Sequence, residues 1–268
     1  MPKFGLDAIA IGVDIGGTRV KIGLVDLAVG TVLERASVAT PQPPVIDDVV
    51  DAVADTVARM DLRWRTTAGS IAVTLGVATS GDVRDGDHTS GVTLHPSWNG
   101  APTRSLIEQR LGRAVRMIND ADAAGIAEAR YGALRGNRGV AVLLTFGTGI
   151  GSAIMLGRQL LPNSGLGEFP FRGVPVETLL SVLSRERRGL DWHAWAQEVN
   201  QFLTQLDGIL RPDLVVVGGG AAEAWSEFGA DLRAPYPVVR ASLGNDAGVI
   251  GAAFVAARPI GPRGDQET

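Results

Sequence analysis

The stretch Val13-Asp14-Ile15-Gly16-Gly17-Thr18-Arg19-Val20-Lys21-Ile22-Gly23-Leu24-Val25 decides the fold class. It continues an apolar run that opens at Ile9, so residues 9–15 predict a buried strand and Gly16-Gly17-Thr18 a turn. After the turn, apolar side chains fall at 20, 22 and 24. A period of two belongs to a strand. A dinucleotide-binding or P-loop unit places a helix directly after its glycines. Here the glycines join two strands in a hairpin, and a third strand is predicted over 31–38.

The same unit returns 131 residues later as LTFGTGIGSAIML, residues 144–156. Strand, glycine turn and strand recur at a spacing far longer than a solenoid repeat. This predicts two related α/β domains, each opening with a glycine hairpin. Between the hairpins, the pattern predicts a helix over 47–60, a strand over 70–77 and a loop over 80–95 with a tight turn at Asp85-Gly86. A helix over 105–111, a strand over 114–118 and a helix over 123–131 follow. Beyond the second hairpin, helices are predicted at 175–187, 192–210, 221–228 and 245–257. A strand at 214–217 enters Gly218-Gly219-Gly220, and a short one lies at 238–239.

Composition narrows the function classes. With 268 residues, 45% hydrophobic and 20% charged, the chain is long enough and apolar enough for a substantial core. It has no cysteine, which excludes disulfides, thiolate zinc sites, iron–sulfur clusters and a thiol nucleophile. A net charge of −4 gives no global attraction to nucleic acid or anionic membrane. No leader-like segment and no apolar run long enough to span a bilayer is present, so a cytoplasmic protein is expected. Only two of the 25 basic residues are lysines, Lys3 and Lys21, which singles out Lys21 beside the first glycine turn.

Glycine-lined turns bring backbone N–H groups close to phosphate oxygens, because no Cβ blocks the approach. A lone turn of this kind is usually only a turn. Two matched ones plus Gly218-Gly219-Gly220 at a strand end point to polyanion binding. Thr18, Thr145 and Thr148 supply hydroxyl donors. Asp14 at the first turn suits a Mg²⁺-bound water or a local turn hydrogen bond. Lys21 suits a phosphate contact or a solvated strand position. Asn119-Asp120 stands between a strand and a helix. If Asp122 caps that helix, Asp120 is free to act as general base towards an alcohol. Phosphoryl transfer needs little beyond a base, backbone donors and a metal. His88, His95 and His193 show no metal-ligand spacing, and no serine hydrolase motif is present.

Taken in order, VDIGGTRVKIGLVD, SWNG (97–100), INDADAAGIAEARYG (118–132), LLTFGTGIGSAIMLGRQLLPN (143–163), PDLVVVGGG (212–220) and SLGNDAGVIGAA (242–253) resemble the ROK family of actin-like sugar kinases. The subgroup they are most similar to is the actinobacterial polyphosphate glucokinases, which also lack the zinc-binding cysteines of many relatives. The resemblance implies two actin-like (ribonuclease H-like) α/β domains around a cleft. Residues 8–114 and the returning helix 246–258 form one, 115–245 the other, and 259–268 a disordered tail. It also implies Asp14, Gly16, Gly17, Thr18 and Lys21 as the first phosphate loop, and Thr145, Gly147, Thr148, Gly149 and Gly151 as the second. Gly218, Gly219 and Gly220 would lie against a nucleotide, Asp120 would be the base for a sugar 6-hydroxyl, and Asn119 would contact the sugar. Mg²⁺ would be held through water at Asp14, the donor would be polyphosphate, ATP or both, and a homodimer is expected. For the homodimer, Trp192–Leu210 offers an apolar helix. A DNA-binding repressor of this family is not expected, because the first motif begins by residue 10 and the charge is −4.

The acceptor side departs from the family. A Glu-Leu-Gly-His segment that holds sugar hydroxyls is here Gly165-Leu166-Gly167-Glu168. Thr93 replaces a sugar-contacting Asn, and Ser80 a Pro. Glu168 only accepts hydrogen bonds when ionised. That favours an acceptor with an ammonium facing it, such as an amino sugar or aminocyclitol. Two alternatives stand beside it: a shifted loop in which Glu168 takes the lost Glu's place and glucose still binds, and a pseudokinase that binds no sugar.

Overall fold

The computed structural model describes residues 9–68, 73–90 and 94–257. β1 (Ile9–Ile15) and β2 (Arg19–Asp26) pair antiparallel, and Gly16 N–H closes the turn on Arg19 C=O at 3.1 Å. β3 (Thr31–Ala39) completes the meander. In α1 (Ile46–Ala68), Val49, Val50, Val53, Val57 and Met60 are buried at helical spacing, with Asp47 and Asp48 in the favourable first turn. β4 (Thr74–Thr79) lies parallel to β1. β5 (Asp82–Arg84) and β6 (Asp87–Ser90) form the expected small hairpin. Its turn residues Asp85 and Gly86 both have positive φ, as a two-residue hairpin turn requires. α2 (Thr103–Leu111) stops at Gly112, and β7 (Val115–Asn119) leads into α3 (Asp120–Tyr131).

The second half runs β8 (Val140–Phe146), β9 (Ile150–Leu156), β10 (Gln159–Leu161), the two-residue strands β11 (Pro170–Phe171) and β12 (Val174–Pro175), α4 (Val176–Leu180) and α5 (Val182–Arg187). It continues with α6 (Trp192–Leu210), β13 (Leu214–Gly218), α7 (Trp225–Phe228), β14 (Val238–Arg240) and α8 (Ala247–Ala256). The sheet orders are β3-β2-β1-β4-β7 and β10-β9-β8-β13-β14. Strand for strand, one topology occurs twice.

α3 and α8 lie between the two sheets. Their small residues allow backbone to touch backbone. A Cβ at Gly12 or Gly76 would run into the carbonyls of Val249 and Ala252, and one at Gly251 into that of Ala123. A second core gathers under α6, and a third lies between α1 and the first sheet.

Several expectations need correction. The division after residue 114 cuts ahead of β7, yet β7 pairs in parallel with β4 and is an edge of the first sheet; an apolar strand before a new motif reads as that motif's opening. The helix expected over 175–187 breaks at Ser181, whose extended backbone and hydroxyl cap α5. The one expected over 221–228 is a 3₁₀ turn over 220–224 followed by the single turn α7. The apolar face of α6, offered as a dimer surface, is spent on the chain's own core through Trp195, Val199, Phe202, Leu203 and Leu206. The tail 259–268 lies outside the described residues. Among the described residues, no helix is long and apolar enough to cross a membrane.

Candidate active site

Parallel strands align their C-terminal ends. Ile15, Thr79 and Asn119 stand side by side at one edge of the first sheet, and Thr145 beside Gly218 in the second. Between these edges lies a cavity of about 450 Å³. Its walls include Asp14, Gly16, Gly17, Lys21, Asn119 and Asp120 from the first half. From the second come Thr145, Gly147, Thr148, Gly149, Gly151, Glu168, Gly218 and Gly219. Of the expected site residues, Thr18 and Gly220 are exposed and do not line it. Thr18 sits at the outer end of the hairpin, where its carbonyl accepts Thr40 N–H, and Gly220 opens the 3₁₀ turn that leads away. Thr93 lies outside the described residues.

Asp14 and Lys21 face each other directly across the β1–β2 ladder, with Nζ 3.5 Å from Oδ2. Burial raises the Asp14 carboxyl above its ordinary value, and the Lys21 ammonium opposes that rise. Lys21 therefore belongs to the cleft and is not an ordinary solvated strand residue. Gly248 in the first turn of α8 passes over Asp14, where a Cβ would stand 3.0 Å from the carboxylate.

Asp120 is the first residue of α3, and its Oδ1 accepts Ala121 N–H at 2.8 Å. Its carboxyl is pushed up to about 6 by burial first and by the charge of Asp14 second; the Ala121 N–H and Lys21 oppose this. A carboxylate poised near neutrality is suited to take a proton from an alcohol. The helix cap is Asn119 and not Asp122. Asn119 Oδ1 accepts Asp122 N–H at 3.0 Å, while Nδ2 donates to Gly81 C=O at 3.0 Å. Both residues suit a cap by composition, and a helix that starts three residues earlier than expected selects Asn119. Asp122 is buried instead. Its Oδ2 accepts Asn163 N–H at 2.8 Å, its Oδ1 has no partner, and burial pushes its carboxyl up to about 7.

At the second turn, Gly147 N–H bonds Gly149 C=O at 2.9 Å, and Thr145 pairs with Gly151 across the ladder. A Cβ at Gly151 would strike the Thr145 hydroxyl and Ala121. Gly219, at φ +71, lies against the end of β8, where a Cβ would meet Phe146 N and O. On the acceptor side, Gly165 (φ +58) begins a 3₁₀ turn that presents exposed Glu168 to the cavity, and Gly167 packs on Ile150 C=O.

Sequence reasoning missed two cavity-lining glutamates. Glu177 Oε2 accepts Ile150 N–H at 3.3 Å beside Gly149. Fully buried Glu128 accepts Ala133 N–H at 2.6 Å and Leu243 N–H at 2.8 Å, fixing the loop that carries Gly244 and Asn245. Their partners are distant in sequence or backbone groups, so no local motif announces them.

A profile of the ROK family matches residues 10–168. The chain is 38% identical over 246 residues to the polyphosphate glucokinase of Mycobacterium tuberculosis, covering 91% of this chain and 89% of that protein. Among solved structures, it superposes on the inorganic polyphosphate/ATP-glucomannokinase of Arthrobacter sp. strain KM with a TM-score of 0.87 at 40% identity, covering 93% and 98% of the two chains. A ROK family glucokinase from Streptomyces griseus, solved with glucose and AMPPNP, gives 0.74 at 25% identity, covering 92% and 99%. The chain thus belongs to the ROK family, and its duplicated sheet is the actin-like fold of that family's kinases.

Proposed function

We propose that the chain moves a terminal phosphoryl group from polyphosphate or ATP to the primary 6-hydroxyl of glucose or a glucose-like acceptor, with Asp120 as the base. The chain is a phosphotransferase of the sugar-kinase kind, in keeping with its polyphosphate glucokinase relatives. The observation that carries the residue assignment is Asp120 itself, held at the start of α3 in the cavity between the two glycine turns. Backbone amides of residues 147–151 and the Lys21 ammonium receive the donor's phosphates, while Asn119 holds the base's turn in place.

Among the described residues, Lys21 is the only basic one on the cavity wall, against carboxylates at Asp14, Asp82, Asp120, Glu128, Glu168 and Glu177. A polyanionic donor entering such a cavity calls for a divalent cation. Among the described residues, no group of three or more side chains forms a metal cage. Mg²⁺ commonly takes one or two carboxylates, waters and the donor's own phosphates. Asp14 would hold it through water, and bound Mg²⁺ would neutralise charge on the donor.

Glu168 on the cavity wall supports a second acceptor reading, an amino sugar or aminocyclitol whose ammonium pairs with that carboxylate. An intact Asp120 argues against a silent pseudokinase. Initial rates with glucose, mannose, glucosamine and cyclitols, each with both donors, separate these readings. Glucose used at ordinary millimolar KM or better rejects the ammonium-bearing acceptor. A homodimer remains part of the proposal, supported by exposed Leu156 and Leu161 on the outer β9–β10 hairpin; a solution mass of one chain would reject it. A cytoplasmic location completes the reading.

The decisive variant is Asp120→Asn. It should fold and bind donor while losing about 10²–10⁴-fold in turnover.

A further inference from the structure

Asn163 stands where three parts of the site meet. Its backbone N–H reaches Asp122 Oδ2 at 2.8 Å, two residues beyond Asp120 on α3. Its side-chain amide pairs twice with the backbone of Val83. Nδ2 donates to Val83 C=O at 3.0 Å, and Oδ1 accepts Val83 N–H at 3.0 Å. Val83 stands next to the Arg84–Asp87 pair that closes the hairpin turn, where an antiparallel ladder turns N–H and C=O outward, and in a sheet of two strands that edge is open to an amide from outside the hairpin. Asn163 is also the first residue of the turn that carries Gly165 and Glu168 into the cavity. Its φ of +54 is one that asparagine tolerates better than most side chains.

These contacts join the two halves of the chain only on the acceptor side. Val83 follows Ser80, Gly81 and Asp82 on the cavity wall, and Asn119 holds Gly81 from below. The donor side is tied separately, through Glu128 and Leu243. The turn is also held to β9, where Ser152 bonds the Ser164 hydroxyl and Leu166 N–H, so loss of the Asn163 contacts would change its approach to Asp120 and Val83 while its base on β9 and the glycine turns stay in place.

We infer that Asn163 is a positioning residue that staples the acceptor turn 163–168 to the catalytic helix and to the Val83 hairpin, with Asp122 as its anchor. It sets the distance between the acceptor hydroxyl and Asp120 without touching either reacting group. The inference rests on the reading of Asp120 as the base.

The test compares Asn163→Gly with wild type and with Asp122→Ala, using glucose and glucosamine as acceptors and polyphosphate as donor. Asn163→Gly keeps the positive φ and the N–H to Asp122 but loses both bonds to Val83. The expected result is an acceptor KM raised about tenfold or a comparable fall in kcat, with donor KM within about twofold of wild type. Asp122→Ala should give the same split, and the double variant should be no worse than the poorer single one. If Asn163→Gly fails to fold, Asn163→Asp keeps the volume and sets a carboxylate against Val83 C=O, so it should show the split instead. Donor and acceptor KM rising together, or a lowered Tm with kcat and both KM values unchanged, would overturn the inference. Failure of the underlying reading shows separately, as undiminished turnover in Asp120→Asn.

Discussion

The two glycine hairpins share one topology and divide the chemistry between them. In the first, the ladder pair beneath the turn is Asp14 with Lys21; in the second, the corresponding pair is Thr145 with Gly151. The first hairpin thus brings a charged pair to the cleft beneath its turn, and its half also supplies Asp120. The second hairpin brings backbone amides, the hydroxyls of Thr145 and Thr148 and a bare α-carbon that clears space for them. A duplicated scaffold fixes where strand ends meet, while the side chains at those ends decide which part of the reaction each half serves.

This contrast can be broken at its strongest point. Lys21→Met removes a charged donor and leaves Asp14 without its counter-ion. A hydrogen bond to a charged group is worth about 1.5–3 kcal/mol, so donor kcat/KM should fall about 10–150-fold. Thr145→Val removes a neutral hydroxyl, worth about 0.5–1.5 kcal/mol, and should cost only about 2–10-fold. Equal losses in steady-state assays of the two variants would erase the proposed division of labour.

A second contrast separates packing from function within the same hairpins. Gly12→Ala drives a Cβ into the backbone carbonyl of Val249 on α8, so it should destabilise by about 1–3 kcal/mol and lower Tm by roughly 2–10 °C. Gly147→Ala meets nothing within 4 Å in the structure and should leave Tm within about 1 °C. It should nonetheless weaken the donor, because the new methyl group stands where a phosphate would approach. Calorimetry and donor KM on both variants test this; a large Tm loss at Gly147 would contradict it.

The smallest effect concerns pH, where activity and stability should run in opposite directions. Asp120 is raised to about 6 and Asp122 to about 7, chiefly by burial. Between about pH 4 and 7 the native state then binds more protons than the unfolded chain, so stability declines as pH rises through that window. Turnover needs ionised Asp120 and should rise through about pH 6. Asp122→Asn keeps an acceptor oxygen for Asn163 and should flatten the decline between about pH 4 and 7. Denaturation midpoints and rates measured across the same pH series check both limbs. Parallel curves would refute the assignment.

Much of this was legible from residues alone. Period-two apolar spacing on both sides of Gly16-Gly17 and of Gly147-Gly149 gave the hairpins, and their recurrence gave the duplication. Asp14 and Lys21 stood out because they flank the first of those turns, and Asp120 because it stands between a strand and a helix. The place of β7 in the first sheet was not legible, since parallel pairing of Val115–Asn119 with β4 leaves no mark on either segment. Nor was the break at Ser181, where one extended residue interrupts an otherwise helical pattern. Asn163 and Glu128 escaped for a related reason. Their partners Asp122, Val83 and Leu243 lie 41, 80 and 115 residues away, so only the folded chain brings them together.

The most direct test of the account is phosphoryl transfer by purified Asp120→Asn beside wild type, with donor affinity and Tm measured on the same samples. The account predicts donor affinity within about twofold, a Tm no lower than wild type because a buried charge has been removed, and turnover reduced by about 10²–10⁴-fold. Turnover equal to wild type in a folded, donor-binding Asp120→Asn would contradict it.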